Sequence, residues 1–305
     1  MCAKLRFIYI PAVLFMIMLL TLNNSALSAA KIKGKVAVPD SSQTQIISLN
    51  DGTILNGRIV SFTTTELLFS STLGEITIPL SSIEEIKSIS KTQIVKGKYY
   101  FPNPNKTRLF FAPTGRMLDK GDGYFSDYYL FFPGCVFGFT SWFNFGGGMS
   151  IFPGINLADQ VFYITPKIGL KASGDLNIAA GALMVKIPSF DDESGDEEIS
   201  SLGILYGVGT FGSTDQSVTI GIGYGYAGDK LADNPVLMIG GEARLSRRTA
   251  LVTENWIIPG TGQPLISYGM RFFGEKLSID LAFITVLGEG AFFPGIPYID
   301  FVVNF

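Results

Sequence analysis

From about Arg108 onward, apolar and polar residues alternate with a period of two, the spacing of extended strands. In VFYITPKIGLKA, Phe162, Ile164, Ile168 and Leu170 share one face, opposite Tyr163, Thr165, Lys167 and Lys171. In SVTIGIGYGY, Val218, Ile220, Ile222, Tyr224 and Tyr226 stand opposite Ser217, Thr219, Gly221, Gly223 and Gly225. Leu237, Ile239 and Leu245 oppose Glu242 and Arg244, Ile266 to Phe272 oppose Ser267 and Arg271, and Leu277 to Phe283 oppose Ser278 and Asp280. The last residues continue the pattern, with Ile299, Phe301, Val303 and Phe305 on the face opposite Asp300. A sandwich in water turns its polar face to bulk solvent. Here that face is rich in glycine with isolated charges, as suits a narrow lumen, while the apolar face suits lipid.

Connections between these segments alternate between tight and loose. Tight ones are expected at 140–142, 173–175, 212–215, 246–248 and 274–275, and looser ones at 154–160, 189–199, 228–234, 258–264 and 287–296. This places eleven strands after residue 123. Because single-chain bacterial barrels have even strand numbers, TRLFFAPTGRML (107–118) is read as a twelfth, giving a barrel over residues 107–305. Aromatic clusters at Tyr124, Phe125, Tyr128 and Tyr129, at Phe292, Phe293 and Tyr298, and at Trp142 and Phe143 are expected to form interfacial girdles.

Residues 1–30 read as a secretory signal, with Lys4 and Arg6 before an apolar core and a small-residue zone at Ser25 to Ala30. Residues 45–90 form five strand-like pieces with turn signals at Asn50-Asp51-Gly52 and Leu73-Gly74-Glu75, a separate small β domain over 40–92. A stiff linker, with Pro102 and Pro104, is expected over 93–106.

The terminal YIDFVVNF resembles the aromatic-ended signal read by the barrel-assembly machinery, with Phe301, Val303 and Phe305 in the alternating positions. Together with the leader and the alternation, it makes the chain similar to Gram-negative outer-membrane β-barrel proteins. LNDGTILNGRI in the front unit is similar to small Sm-like β-barrels. The resemblance implies an all-β fold, a closed antiparallel transmembrane barrel of about 12 strands preceded by an Sm-like domain. It implies outer-membrane lipids and the assembly machinery as partners, with the front unit in the periplasm, free to meet a protein through residues 40–92.

Charge and composition narrow the chemistry. The chain has no histidine, which removes Ser-His, Cys-His and His-metal mechanisms; no enzymatic activity and no cofactor are expected. Without Lys4 and Arg6 the 23 basic residues fall to 21 against 26 acidic ones, a net charge of −5 that gives nucleic acid no footing. Cys135, the one cysteine after the leader, is expected to be a small apolar filler. Two G-x-G-x-x-G matches, at Gly207 to Gly212 and Gly223 to Gly228, lie inside alternating strands and not between strand and helix, so they are not dinucleotide sites. The acidic loop DDESGDEE (191–198) reads as a solvated loop at the mouth.

The lumen is where function is sought. Lys167, Lys171, Arg244 and Arg271 are expected to point inward with Glu242, Asp280 and Asp300. Two readings stand: a salt-bridge network that closes a narrow barrel, or a selective pore whose free basic groups attract a small anionic solute. A narrow channel for small solutes is the first function expected, and a structural barrel anchoring a periplasmic module is the alternative.

Overall fold

The computed structural model describes residues 32–95, 98–187, 201–260, 263–288 and 292–305. Residues 1–30, expected to be a leader, and the DDESGDEE segment therefore lie outside the described residues. The chain divides into two compact units, residues 1–94 and 95–305.

The first unit is one antiparallel sheet of β1 (Gln43–Leu49), β2 (Ile54–Phe62), β3 (Glu66–Ser71), β4 (Gly74–Pro79) and β5 (Ile83–Ser90), in the order β4-β3-β2-β1-β5. Both expected turns are present, with Gly52 and Gly74 in the left-handed region that glycine enters without steric cost. Asp51 ties the first by accepting the Thr53 amide at 2.8 Å. Ile47, Ile59, Leu67, Phe69, Ile78 and Ile86 fill the core. Gln45 is buried among them, accepting the Ile59 amide at 2.9 Å and donating to the Ala37 carbonyl at 2.9 Å.

The second unit is a closed barrel of twelve antiparallel strands. They are β6 (Gly123–Tyr128), β7 (Phe132–Thr140), β8 (Phe143–Met149), β9 (Phe162–Ile164 continued by Lys167–Ser173), β10 (Leu176–Lys186), β11 (Ser201–Gly212), β12 (Gln216–Ala227), β13 (Val236–Arg244), β14 (Thr249–Ile257), β15 (Leu265–Phe273), β16 (Leu277–Val286) and β17 (Ile296–Asn304). Each pairs with its neighbours in sequence, and β17 closes onto β6 through Asn304 opposite Tyr124. Gly123 and Phe305 exchange backbone hydrogen bonds at the seam. The connections after β7, β9, β11, β13 and β15 are short and gather at one rim; those after β8, β10, β12, β14 and β16 are longer and gather at the other.

Two expectations about the segments before the wall are corrected. Residues 107–118 are not a wall strand; they lie within the barrel, with Leu109, Phe110, Ala112 and Leu118 at most 4% exposed. The twelfth strand comes instead from a hairpin between β6 and β7 whose turn, Tyr129 and Leu130, uses left-handed conformations at 55° and 65°. Those are positions where glycine or asparagine is usual, so nothing in the sequence marked the turn. The linker expected over 93–106 likewise ends early, because Asn103 and Asn105 are already buried in the barrel.

The wall separates two chemistries. Ile220, Ile222, Leu237, Ile239, Leu251 and Leu281 stand exposed on the outside, as do Val303 and Phe305 of the terminal alternation, with Phe301 half-buried beside them. Cys135 is also exposed and fills no core. The aromatic girdle is corrected in part: Tyr124 and Tyr298 are buried inside, and Tyr128 turns inward onto the side chain of Arg108.

Candidate functional site: a plugged lumen

Residues 103–118 fill the barrel as a plug. Its tip is a tight turn in which the Leu109 amide donates to the Ala112 carbonyl at 2.8 Å, and the Thr114 amide donates to Thr107 below it at 2.9 Å. Proline at 113 has no amide to offer a sheet ladder, which suits a turn and not a central wall strand. The Gly115 amide donates to Thr210 Oγ1 at 2.8 Å, and the approach is so close that a Cβ on Gly115 would stand 2.2 Å from the Asn177 carbonyl oxygen. Leu109 and Phe110 pack on Val208, Met238, Val252 and Ala282 of the wall.

Eight charged side chains are buried among the described residues, and they balance: Arg108, Arg116, Lys167 and Arg271 against Glu242, Glu254, Asp280 and Asp300. Burying a charge is costly unless it is paired and fully hydrogen-bonded. Arg271, on β15, meets that demand by gripping Asp280 with two parallel bonds at 2.8 Å and Glu242 at 3.0 Å. Its remaining donors reach the plug, at the Asn105 carbonyl (3.1 Å) and the Leu109 carbonyl (2.6 Å). Asn103 caps the same cluster, donating to Glu242 at 2.8 Å.

Around this centre the plug is held on every side. Arg108 pairs with Asp300 and donates to the Phe110 carbonyl. Arg116 donates to the carbonyls of Gly212 and Ser213 at the turn after β11. Lys167 has no carboxylate partner among the described residues; its ammonium donates to the carbonyls of Thr107, Thr114 and Arg116 at 3.2, 3.0 and 2.7 Å, using all three of its donors on the plug backbone.

Glu254 does the reverse. Fully buried on β14 and without a cationic partner among the described residues, it accepts the amides of Phe110, Phe111 and Ala112 on one oxygen, each at 2.9 Å, and the Trp256 indole N–H on the other at 2.7 Å. Successive amides turned onto one anion form a concave dipolar site, here filled by a wall carboxylate that latches the plug tip.

The seven residues expected in the lumen thus divide. Glu242, Arg271, Asp280, Asp300 and Lys167 are buried there and brought together by the plug. Arg244 lies at the short-turn rim, paired with Asp215 at 2.8 Å and bonded to the Phe101 carbonyl at 2.7 Å. Lys171 is exposed at that same mouth. The buried basic groups are all partnered, so they do not form the free anion-attracting lining considered from sequence. Arg108, Arg116, Asn103, Asn105 and Glu254 were missed. The signal for Glu254 was present, since Val252, Glu254 and Trp256 share one face of an alternating strand.

Besides a small pocket of about 90 Å³ against Thr107, Arg108 and Phe111, two larger cavities lie on opposite sides of the plug. At the long-loop side lies one of about 430 Å³, with Phe111, Ala112 and Pro113 of the plug among its lining. At the short-turn rim lies one of about 510 Å³, lined by Lys106, Arg116, Asp119, Lys171 and Asp175 among others.

No protein-family model matches the chain, and no curated protein matches it. Solved structures that resemble it include a NanC porin in a rhombohedral crystal form, at 6% identity and TM-score 0.37 over 60% of this chain and 97% of that one. A loop-deletion mutant of OmpT, an outer membrane protein of Vibrio cholerae, resembles it at 12% identity and TM-score 0.33 over 86% and 96% of the two chains. OccK5 (OpdH) of Pseudomonas aeruginosa does so at 9% identity and TM-score 0.32 over 86% and 95%.

Proposed function

We propose that the protein is an outer-membrane barrel that acts as a channel for small solutes and is held shut by its own residues 103–118. Membrane placement is supported by the outer face, where exposed aliphatic side chains on strand after strand form an apolar surface no soluble monomer would present to water. Closure of the sheet leaves no edge whose amides would meet hydrocarbon. The observation that carries the channel reading is the arrangement of two cavities with one plug between them, the plug being held by hydrogen bonds, ion pairs and packing. Such contacts can be exchanged, so a solute route forms when residues 103–118 leave their partners, the tip at Glu254 among them.

The short turns would face the periplasm, as is usual for such barrels. We read the front unit as an Sm-like module on that side, a reading its strand order β4-β3-β2-β1-β5 supports, and residues 1–30 as the leader that directs export. No enzymatic step is assigned to the barrel.

The test is conductance in planar bilayers. Wild type is expected to be silent or to open in rare events, and Glu254→Ala, which leaves three tip amides and the Trp256 N–H without their acceptor, to open often. Equal, steady conductance of both proteins would remove the plug from the account. Silence of both, with Glu254→Ala still folded by its heat-modifiable gel mobility, would favour a structural barrel anchoring the front unit.

A further inference from the structure

The interior of a porin-like barrel is polar because it holds water. The cavity on the long-loop side of the plug departs from that rule, although a smaller pocket of about 90 Å³ beside it has Arg108 and Lys167 in its lining. The cavity above the plug is lined by 22 described residues and none of them is charged. Its wall comes from strand ends at the long-loop rim, including Tyr128 and Phe132 beside the β6–β7 hairpin and Val185, Ile204, Val236 and Trp256. Its floor is Phe111, which is 46% exposed although it sits inside the barrel.

Phe111 is also held still. Its ring stacks on Tyr128 at 5.2 Å with 13° between planes, and meets Tyr298 edge-on at 4.9 Å. Its amide is fixed by Glu254. An aromatic face locked in place and left uncovered at the bottom of an uncharged cup is a surface for an apolar guest. The eight charges buried among the described residues are engaged with the plug, its neighbours or one another; Arg108 and Lys167, which line the small pocket beside the cup, have their donors on Asp300 and on plug carbonyls.

We infer that this cup is a binding site for small, uncharged, apolar molecules with aromatic character, entered from the long-loop side. Size fits this class: an apolar cavity of roughly 150 Å³ binds benzene, and this one, at about 430 Å³, holds a molecule of two or three fused or linked rings. Tyr163 and Thr165 supply hydroxyls at the wall for one weakly polar substituent. Such a guest would be the channel's solute, which rests on the channel reading above. Binding in the cup is measured apart from passage, so either can fail alone.

The chain's two tryptophans make the test direct, because Trp256 lines the cup and Trp142 sits exposed at a short turn of the opposite rim. In a Trp142→Phe protein in phosphatidylcholine nanodiscs, Trp256 is the sole donor to N-phenylnaphthylamine, an uncharged aromatic probe that accepts tryptophan emission. Saturable transfer is expected. It should weaken at least tenfold when Ile204→Glu places a charge in the cup, or when Gly221→Leu fills it. Gel mobility after heating establishes that each variant is folded. Transfer that rises linearly without saturation, or a folded cup variant that binds the probe as tightly as Trp142→Phe alone, overturns the assignment.

Discussion

Replacing Arg271 by methionine keeps much of the side chain's length and removes its charge and five hydrogen bonds. Glu242 and Asp280 are then left facing one another in a volume from which water is excluded, and the Asn105 and Leu109 carbonyls of the plug lose their donor. Removing one partner of a buried ion pair costs about 3–5 kcal/mol, because an uncompensated charge remains. The folding equilibrium should therefore fall by about two to three and a half powers of ten at neutral pH. Urea unfolding of the barrel in lipid vesicles, followed by gel mobility and extrapolated linearly to water, measures this. Changing the two carboxylates as well, in Arg271→Met, Glu242→Gln, Asp280→Asn, removes the stranded charge and should restore more than half of the loss. The reasoning is refuted if Arg271→Met unfolds within about 1 kcal/mol of wild type, the range of an exposed ion pair, or if the triple variant is no more stable than the single one.

Further expectations follow from the plug and the front unit. Gly115→Ala puts a methyl 2.2 Å from a backbone oxygen, so the plug should be displaced more often, and trypsin should then cut after Arg108 and Arg116, bonds that wild type keeps shielded; an unchanged digest would show that the segment is not confined. Lys167→Met strands the Thr114 and Arg116 carbonyls, the Thr107 carbonyl keeping the Thr114 amide, at a cost of about 1–3 kcal/mol each where no water enters, and should raise the same cleavage without changing the fold of the wall. In the front unit, Gln45→Leu orphans the Ile59 amide and the Ala37 carbonyl, which should lower its unfolding free energy by about 2 kcal/mol or more; a neutral result would mean those groups find water.

Much of the wall was legible because alternation is a local property. A strand with one face toward lipid and one toward a lumen writes both environments into adjacent residues, and tight turns such as Ser173-Gly174-Asp175 carry their own chemistry. The hairpin at Tyr129 and Leu130 was hidden for the converse reason, since two large residues hold backbone angles that packing enforces and local preference does not. The plug was misassigned because TRLFFAPT has the apolar content of a strand while its partners lie far along the chain, with Asp300 reached from Arg108 and Glu254 from Phe110. The inward tyrosines shared that difficulty. A ring at a strand end serves a lipid interface or a lumen equally well, and only the fold shows that Tyr128 faces Phe111. Pro113 was the one local sign that the segment does not pair as a wall strand.

A barrel held shut from within requires residues 103–118 to be packed inside a closed wall. Amide hydrogen exchange of the protein in lipid bilayers measures that directly. Phe110, Phe111 and Ala112, whose amides end on a buried carboxylate, should exchange as slowly as the central residues of the wall strands. Exchange of these three at the rate of the long loops, with the wall still protected, would contradict it.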